Sequence, residues 1–359
     1  MESELPRDAS LPRAFLWPVL AWMVFALYHS LHAIWVLPLA VAALVLMVLG
    51  AVHHAEVLAA RVGEPFGALL LALSVTVIEV SIIVSLMLTI GEGASVLARN
   101  TVFAAIMIIL TGMTGVTLLI GGLKFREQEF STQGVTELLT VLVAISVLTL
   151  VLPNFTSAMP GPYYSNSQLV FVAVITLALY GSLLFVQNFR HKDHFVGAQV
   201  GERTLRPTRR STILSAVLLP VHLGAVVLLA ESMAPDLDTF IDAIGAPVAL
   251  SGIIIACVVL LPEGISAVRA AGANELQRSL NLSLGSALAS VSLTIPVVAL
   301  VALATGMPLA MGIDAPSTVL FLLSLLVLIL SLSSGRTNVL QGLVLMLLFA
   351  VYLFVTLFP

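Results

Sequence analysis

FGALLLALSVTVIEVSIIVSLML, residues 66–88, is apolar along nearly its whole length yet holds a carboxylate, Glu79, near its middle. GAPVALSGIIIACVVLLPEGISAV, residues 245–268, repeats the arrangement with Glu263. About 20 apolar residues cross the hydrocarbon core of a bilayer as a helix, so both stretches read as membrane spans. A carboxylate at that depth costs on the order of 3 kcal/mol on insertion scales, and is tolerated where it meets water, a partner or a cation. Each glutamate also follows a Gly-x-Pro, Gly63-Glu64-Pro65 and Gly245-Ala246-Pro247. This echo between the two halves directs the search for function.

The rest of the chain agrees with a membrane setting. It is 60% hydrophobic and 9% charged, with a mean hydropathy of +1.13, against roughly 45–50% apolar and 25% charged in soluble domains. Apolar runs predict spans near 14–29, 33–51, 66–90, 101–123, 134–152, 167–187, 213–232, 246–271, 280–304, 317–333 and 337–358. The expected fold is an all-α polytopic membrane protein of about eleven transmembrane helices. With a cytoplasmic N-terminus, fourteen of the fifteen basic residues fall on the inner side and only Arg99 falls outside, as the positive-inside rule requires. This places the C-terminus outside. The first run, from Ala14, lacks a small-x-small cleavage site and reads as a retained span. Nucleic-acid binding has no support, since basic residues gather only in one short loop. The single cysteine, Cys257, excludes an intrachain disulfide and a multi-cysteine metal site.

The polar stretch NFRHKDHFVGAQVGERTLRPTRRS, 188–211, divides the chain. The expected organisation is a tail and leading helix over 1–32, a first five-helix repeat over 33–187, a basic cytoplasmic linker over 188–212 and a second five-helix repeat over 213–359. Each glutamate sits in the second span of its five, and the two spans run in opposite directions. Inverted repeats with midplane ligands are a feature of secondary transporters. Ala55-Glu56 and Ala230-Glu231, near the expected ends of the preceding helices, add a weaker echo.

Around the glutamates lie oxygen donors: Ser74, Thr76, Ser81 and Ser85 near Glu79, and Ser266, Asn281, Ser283, Ser286 and Ser290 near Glu263. Pro262 withholds one helical hydrogen bond beside Glu263. An oxygen-only set suits calcium, which takes six to eight oxygens, or an alkali cation better than zinc or copper. Two carboxylates in one dehydrated chamber repel each other and favour protonation, whereas a divalent cation favours the ionised pair. Cation and protons would then exclude each other, which is the requirement for exchange. Glu79 and Glu263 are the expected cation and proton sites, with Thr76, Ser286 and Ser290 lining them. Glu56, Glu231 and His222 are candidates for cation or proton access or for pH sensing, and His53 and His54 are expected at the cytoplasmic edge. No His/Cys/Asp constellation accompanies either glutamate, so neither an intramembrane hydrolase nor a resident cofactor is expected.

Two further segments carry a family likeness. Gly121-Gly122-Leu123-Lys124-Phe125-Arg126-Glu127-Gln128 and the run from Gly285-Ser286 to Ile295-Pro296 resemble the segments that follow the third core helix and form the eighth in bacterial calcium/proton antiporters of the cation/calcium exchanger superfamily. The resemblance implies ten core helices plus one leading helix in the bacterial inner membrane, with Glu79 and Glu263 as the cation- and proton-binding pair. Where that family has Gly-Asn before each glutamate, this chain has Val75-Thr76 and Val259-Leu260, and Ala289 stands where many relatives have glutamine. Ile78-Glu79-Val80-Ser81 and Leu261-Pro262-Glu263-Gly264 are similar to a subgroup for which sodium or potassium exchange is also reported. The expectation is calcium/proton exchange, with sodium or potassium/proton exchange at the same glutamates as the alternative.

Overall fold

The computed structural model describes residues 11–31, 36–63, 66–90, 94–190, 207–247 and 249–358. The first ten residues of the expected tail, Glu64-Pro65 and residues 191–206 of the expected basic linker lie outside these. In lipid every backbone polar group must find its partner internally, so apolar segments of this length fold as helices. Eleven helical segments result among the described residues: α1 (Leu11–Leu31), α2 (Leu37–Val62), α3 (Phe66–Ile90), a continuous span of α4 (Ala94–Met107), a π-helical turn (Ile108–Met113) and α5 (Thr114–Phe125), α6 (Thr132–Ser146) with its π and 3-10 continuation to Phe155, α7 (Asn166–Phe185), α8 (Arg209–Ala243), α9 (Ala249–Gly272), α10 (Leu276–Thr305), α11 (Ala315–Leu332) and α12 (Val339–Leu357). Nine are long and apolar enough to cross a membrane, and α1 and α3 contain the shorter apolar stretches Pro18–Tyr28 and Leu73–Ser85. Large apolar side chains such as Leu300, Val319, Leu347 and Phe354 are exposed, as a lipid-facing surface requires.

Two helices run further than hydropathy predicts. α2 continues from the expected end near 51 to Val62, and α8 from near 232 to Ala243. Both extensions are polar, holding His53, His54, Glu56 and Arg61 in one and Pro235, Asp236, Asp238 and Asp242 in the other. Polar residues end a span's hydropathy but do not end a helix. Glu56 and Glu231 therefore stand inside their helices and not at the ends.

The chain forms two compact units, each drawn from both halves of the sequence: Met1–Ser85 with Arg203–Phe240, and Leu86–Glu202 with Ile241–Pro359. In the first, α1 packs on α2, and the Tyr28 hydroxyl donates to Asp236 Oδ2, tying α1 to α8. The Arg61 guanidinium reaches the Pro207 carbonyl at 3.4 Å, joining the end of α2 to the approach to α8.

The second unit is built around the span from α4 to α5, 83% of whose most apolar window is buried. α5 and α12 meet along a seam of glycines. A Cβ on Gly342 would meet the Leu119 backbone nitrogen, with Leu119 Cα at 2.8 Å and the Gly115 carbonyl at 2.9 Å. Gly122 approaches the Val339 backbone and Gly115 the Met346 nitrogen in the same way. Small residues that admit a neighbouring backbone are the usual device for tight helix packing in lipid. Phe103, Phe321 and Tyr352 stack edge-to-face beside this seam, with centroids 6.0 and 5.7 Å apart.

The two ends of this unit are distinct. At one, β1 (Glu127–Glu129) pairs antiparallel with β2 (Arg336–Asn338), Lys124 Nζ donates to the Gly272 carbonyl at 2.6 Å, and Gln277 Oε1 accepts from the Ser131 N–H at 2.7 Å. At the other, Met311 N–H donates to the Pro162 carbonyl at 2.9 Å, and Arg99 Nη1 donates to the Gly312 carbonyl at 2.9 Å. Lys124, Arg126, Arg269, Arg278 and Arg336 all lie on connections or helix ends at the first, and Arg99 at the second. The charge segregation read from sequence is thus a segregation in space within this unit.

Candidate functional site

In the first unit, Glu79 sits near the middle of α3 and is only 5% exposed, with Thr76 buried one turn before it. The helix keeps this carboxylate inside because its i±3 and i±4 neighbours, Val75, Thr76, Ile82 and Ile83, are buried as well. Six residues on, the Ser85 hydroxyl donates to Glu231 Oε2 at 2.9 Å. Sequence reading named both residues without joining them. Glu231 thus belongs to the wall of the glutamate helix. Glu56, by contrast, is exposed on α2.

The same unit holds a histidine pair. His54 and His222 are both buried, with ring centroids 4.9 Å apart. His54 Nδ1 lies 3.0 Å from Ser215 Oγ, and His222 Nδ1 lies 2.8 Å from the Leu218 carbonyl. Gly50 makes room for the His222 ring, which a Cβ there would strike. His222 is therefore a packed and hydrogen-bonded histidine. His54 is not at an edge as expected, because the longer α2 carries it into the contact with α8, while His53 remains exposed.

In the second unit, Glu263 is half-buried past the middle of α9. α9 runs unbroken through Pro262, so the Val258 carbonyl has no proline N–H to accept from. α9 packs against α10 and against the π-helical turn, which in turn packs against α10. The next residue, Gly264, faces that turn: a Cβ there would lie 3.4 Å from Met113 Sδ. Ser286 and Ser290 on α10 are 9% and 3% exposed. Glu263, Ser286 and Ser290 are thus on helices in direct contact. Thr111 and Thr114, in and after the π turn, are fully buried and turn their hydroxyls onto the Met107 and Ile109 carbonyls at 2.6 and 2.8 Å.

The π turn escaped sequence reading. Such one-residue expansions are frequent at functional sites, but a helix buried on all sides offers no periodicity in which the extra residue would register.

A family model described as sodium/calcium exchanger protein matches residues 32–189 and 214–358. The chain is 46% identical over 314 residues to the putative ionic transporter y4hA of Sinorhizobium fredii, covering 87% of this chain and 86% of that one. It is 38% identical over 353 residues to the sodium-potassium/proton antiporter ChaA of Escherichia coli, covering 95% and 94%. A crystal structure of the Ca2+/H+ antiporter protein YfkE superposes with a TM-score of 0.75 at 17% identity, over 96% of this chain and 99% of that one, which is a likeness of fold. With two stretches that together make up most of the chain matched by the family model, and a relative at this identity over nearly its full length, the chain belongs to the sodium/calcium exchanger family, within the cation/calcium exchanger superfamily of multi-pass membrane antiporters.

Proposed function

We propose that this protein exchanges a cation for protons across the bacterial inner membrane, with Glu79 and Glu263 as the carboxylates that hold either the cation or the protons. The observation that carries this is the placement of one carboxylate inside each of α3 and α9, away from the helix ends and among buried hydroxyls. A membrane span does not keep two such groups without use. Thr76 is a further oxygen donor beside Glu79, Ser286 and Ser290 are donors on the helix packed against that of Glu263, and Glu231, held by Ser85, stands on the access route to Glu79. The N-terminus is cytoplasmic and the C-terminus outside in this reading. Transport needs no resident cofactor, since the cation is the cargo.

Calcium is the cation to which paired carboxylates and hard oxygens point, because two charges match a divalent ion. A monovalent reading has its own support. The Escherichia coli relative is named for sodium-potassium/proton exchange, and Thr76 and Leu260 leave the site poorer in amide oxygen than a Gly-Asn pattern would. Purified protein in liposomes, given an imposed pH gradient and calcium, sodium or potassium in turn, separates the two. Each of Glu79→Gln and Glu263→Gln removes a charged ligand. A charge-assisted contact contributes about 1.5–3 kcal/mol, so each variant is expected to lower cation affinity about 10- to 100-fold and to stop coupled proton flux. A folded glutamine variant that still exchanges at the parent rate overturns the proposal.

A further inference from the structure

α10 carries a line of hydroxyls that the two site-lining serines do not exhaust. Ser279, Ser283, Ser286, Ser290 and Thr294 recur at intervals of four, three, four and four. At about 100° per residue they fall within an arc of about 80° on one side of the helix, over a rise of about 22 Å. All five are buried, Ser279, Ser283 and Thr294 completely. The Ser283 hydroxyl donates back to the Ser279 carbonyl at 3.0 Å. Ser279 Oγ and Thr294 Oγ1, at the two ends of the line, make no hydrogen bond within the described residues.

Small size alone does not account for this. Alanine packs as closely as serine, and buried hydroxyl oxygens without partners are uncommon enough in folded proteins to call for a water or an ion. The line also begins in polar surroundings. At the β1–β2 end of the unit, Gln128 is 2% exposed and donates to the Ala271 carbonyl and to Asn274 Oδ1, both at 3.0 Å, while its own Oε1 has no donor. Gln277 Nε2 donates to Asn281 Oδ1 at 2.9 Å one turn into α10. The orphaned Gln128 amide oxygen thus marks the end of the unit at which the hydroxyl line begins, while Gln277 and Asn281 lie on the opposite side of α10.

We infer that this face of α10 lines a hydrated path for small cations, entered from the end marked by Gln128 and running past Ser286 and Ser290 to Thr294. The inference rests on the antiport reading above and extends it, since it assigns Ser279, Ser283 and Thr294 to conduction and not to packing. Hydroxyls suit such a path because they solvate a passing cation without the fixed charge that would trap it.

Cys257 is the only cysteine, so a single Cys257→Ser change gives a background for thiol labelling. Ser279→Cys, Ser283→Cys, Ser286→Cys, Ser290→Cys and Thr294→Cys, each reconstituted, are treated with a cationic, membrane-impermeant methanethiosulfonate, which reacts with hydrated thiols. Ser292→Cys and Leu288→Cys are the controls. Both positions are fully buried and lie about 160° round the helix, and Ser292 Oγ is equally without a partner. The expected result is labelling at the five line positions at least tenfold faster than at the controls, slowed by saturating calcium or sodium. Labelling at Ser286 and Ser290 alone overturns the path and leaves the site reading standing. Equal rates at line and control positions overturn the path, and no labelling at any of the five removes the site-lining assignment as well. Monodisperse elution of each unlabelled variant identifies any that fail to fold, and Ser279→Cys and Ser283→Cys serve as replacements for each other, being one turn apart.

Discussion

Gly342→Ala tests the seam between α5 and α12 most directly. The added methyl would face Leu119 Cα at 2.8 Å and the Gly115 carbonyl at 2.9 Å, with the Leu119 nitrogen nearer still. Ordinary contacts to carbon are about 3.5–4.0 Å. All three obstacles are backbone, so no side chain can rotate away and α12 must retreat by about 0.5–1 Å. A gap of that size forfeits a quarter to a half of the dispersion attraction along the seam. Overpacking costs about 1–3 kcal/mol, and here the upper value applies. Alanine's helix propensity returns up to about 1 kcal/mol, leaving a net loss of about 2 kcal/mol. For a domain of this size the unfolding midpoint should fall by about 4–8 °C. The assay is far-UV circular dichroism of purified protein on heating. Tryptophan emission is unsuitable, because the three tryptophans, Trp17, Trp22 and Trp35, are all far in sequence from α5 and α12. Gly181→Ala, with nothing within 4 Å of the new Cβ, is the control and should unfold no earlier than the parent. A Gly342→Ala protein as stable as the Gly181→Ala protein would refute the backbone-contact argument.

Competition between cation and protons for the glutamates predicts that apparent cation affinity falls as pH falls, by up to about 100-fold per pH unit if two protons replace one divalent ion. Isothermal binding at several pH values measures this, and a pH-independent affinity would contradict it. Tyr28→Phe removes the donor to Asp236 and should loosen α1 from α8 by about 1.5–3 kcal/mol, the usual contribution of a hydrogen bond to a charged group. Here tryptophan emission is the right probe, since Trp22 shares α1 with Tyr28, and an unchanged emission transition on heating would count against the tie. Arg336→Gln breaks the 2.7 Å ion pair with Glu129, but these side chains are 65% and 72% exposed. Surface pairs contribute about 0–1 kcal/mol, so a midpoint shift above about 3 °C would show that β1–β2 pairing depends on charge.

The sequence made much of this legible because membrane helices obey two simple rules, apolar length and charge side. The eleven helical segments, the isolation of Arg99, and Glu79 and Glu263 in the bodies of their helices all follow from those rules. What escaped was set by contacts. Hydropathy ends the spans near residues 51 and 232, yet helices α2 and α8 continue, because a polar side chain does not interrupt backbone hydrogen bonding. That continuation is what brings His54 against His222. Ser85 and Glu231 were each visible as polar residues, but only the folded chain brings them within a hydrogen bond of each other. Gly112 and Gly115 admit a close neighbour, and only the folded chain shows that α12 supplies it, through Phe349 and Met346.

The π turn at Ile108–Met113 has a consequence for everything after it in the same span. The extra residue in the turn sets the azimuth of α5 back by about 100° relative to a continuous α-helix of the same residues. Gly115, Leu119 and Gly122 meet α12 only because of that offset. Straightening the turn at constant length would swing the glycines out of register with Gly342, presenting bulky side chains where backbone now meets backbone, whereas deleting one residue of the turn would give a regular helix with the glycines still in phase. The expansion is therefore the phase setting of the unit's central helix, and a one-residue deletion inside it should be better tolerated than the same deletion between Gly115 and Gly122.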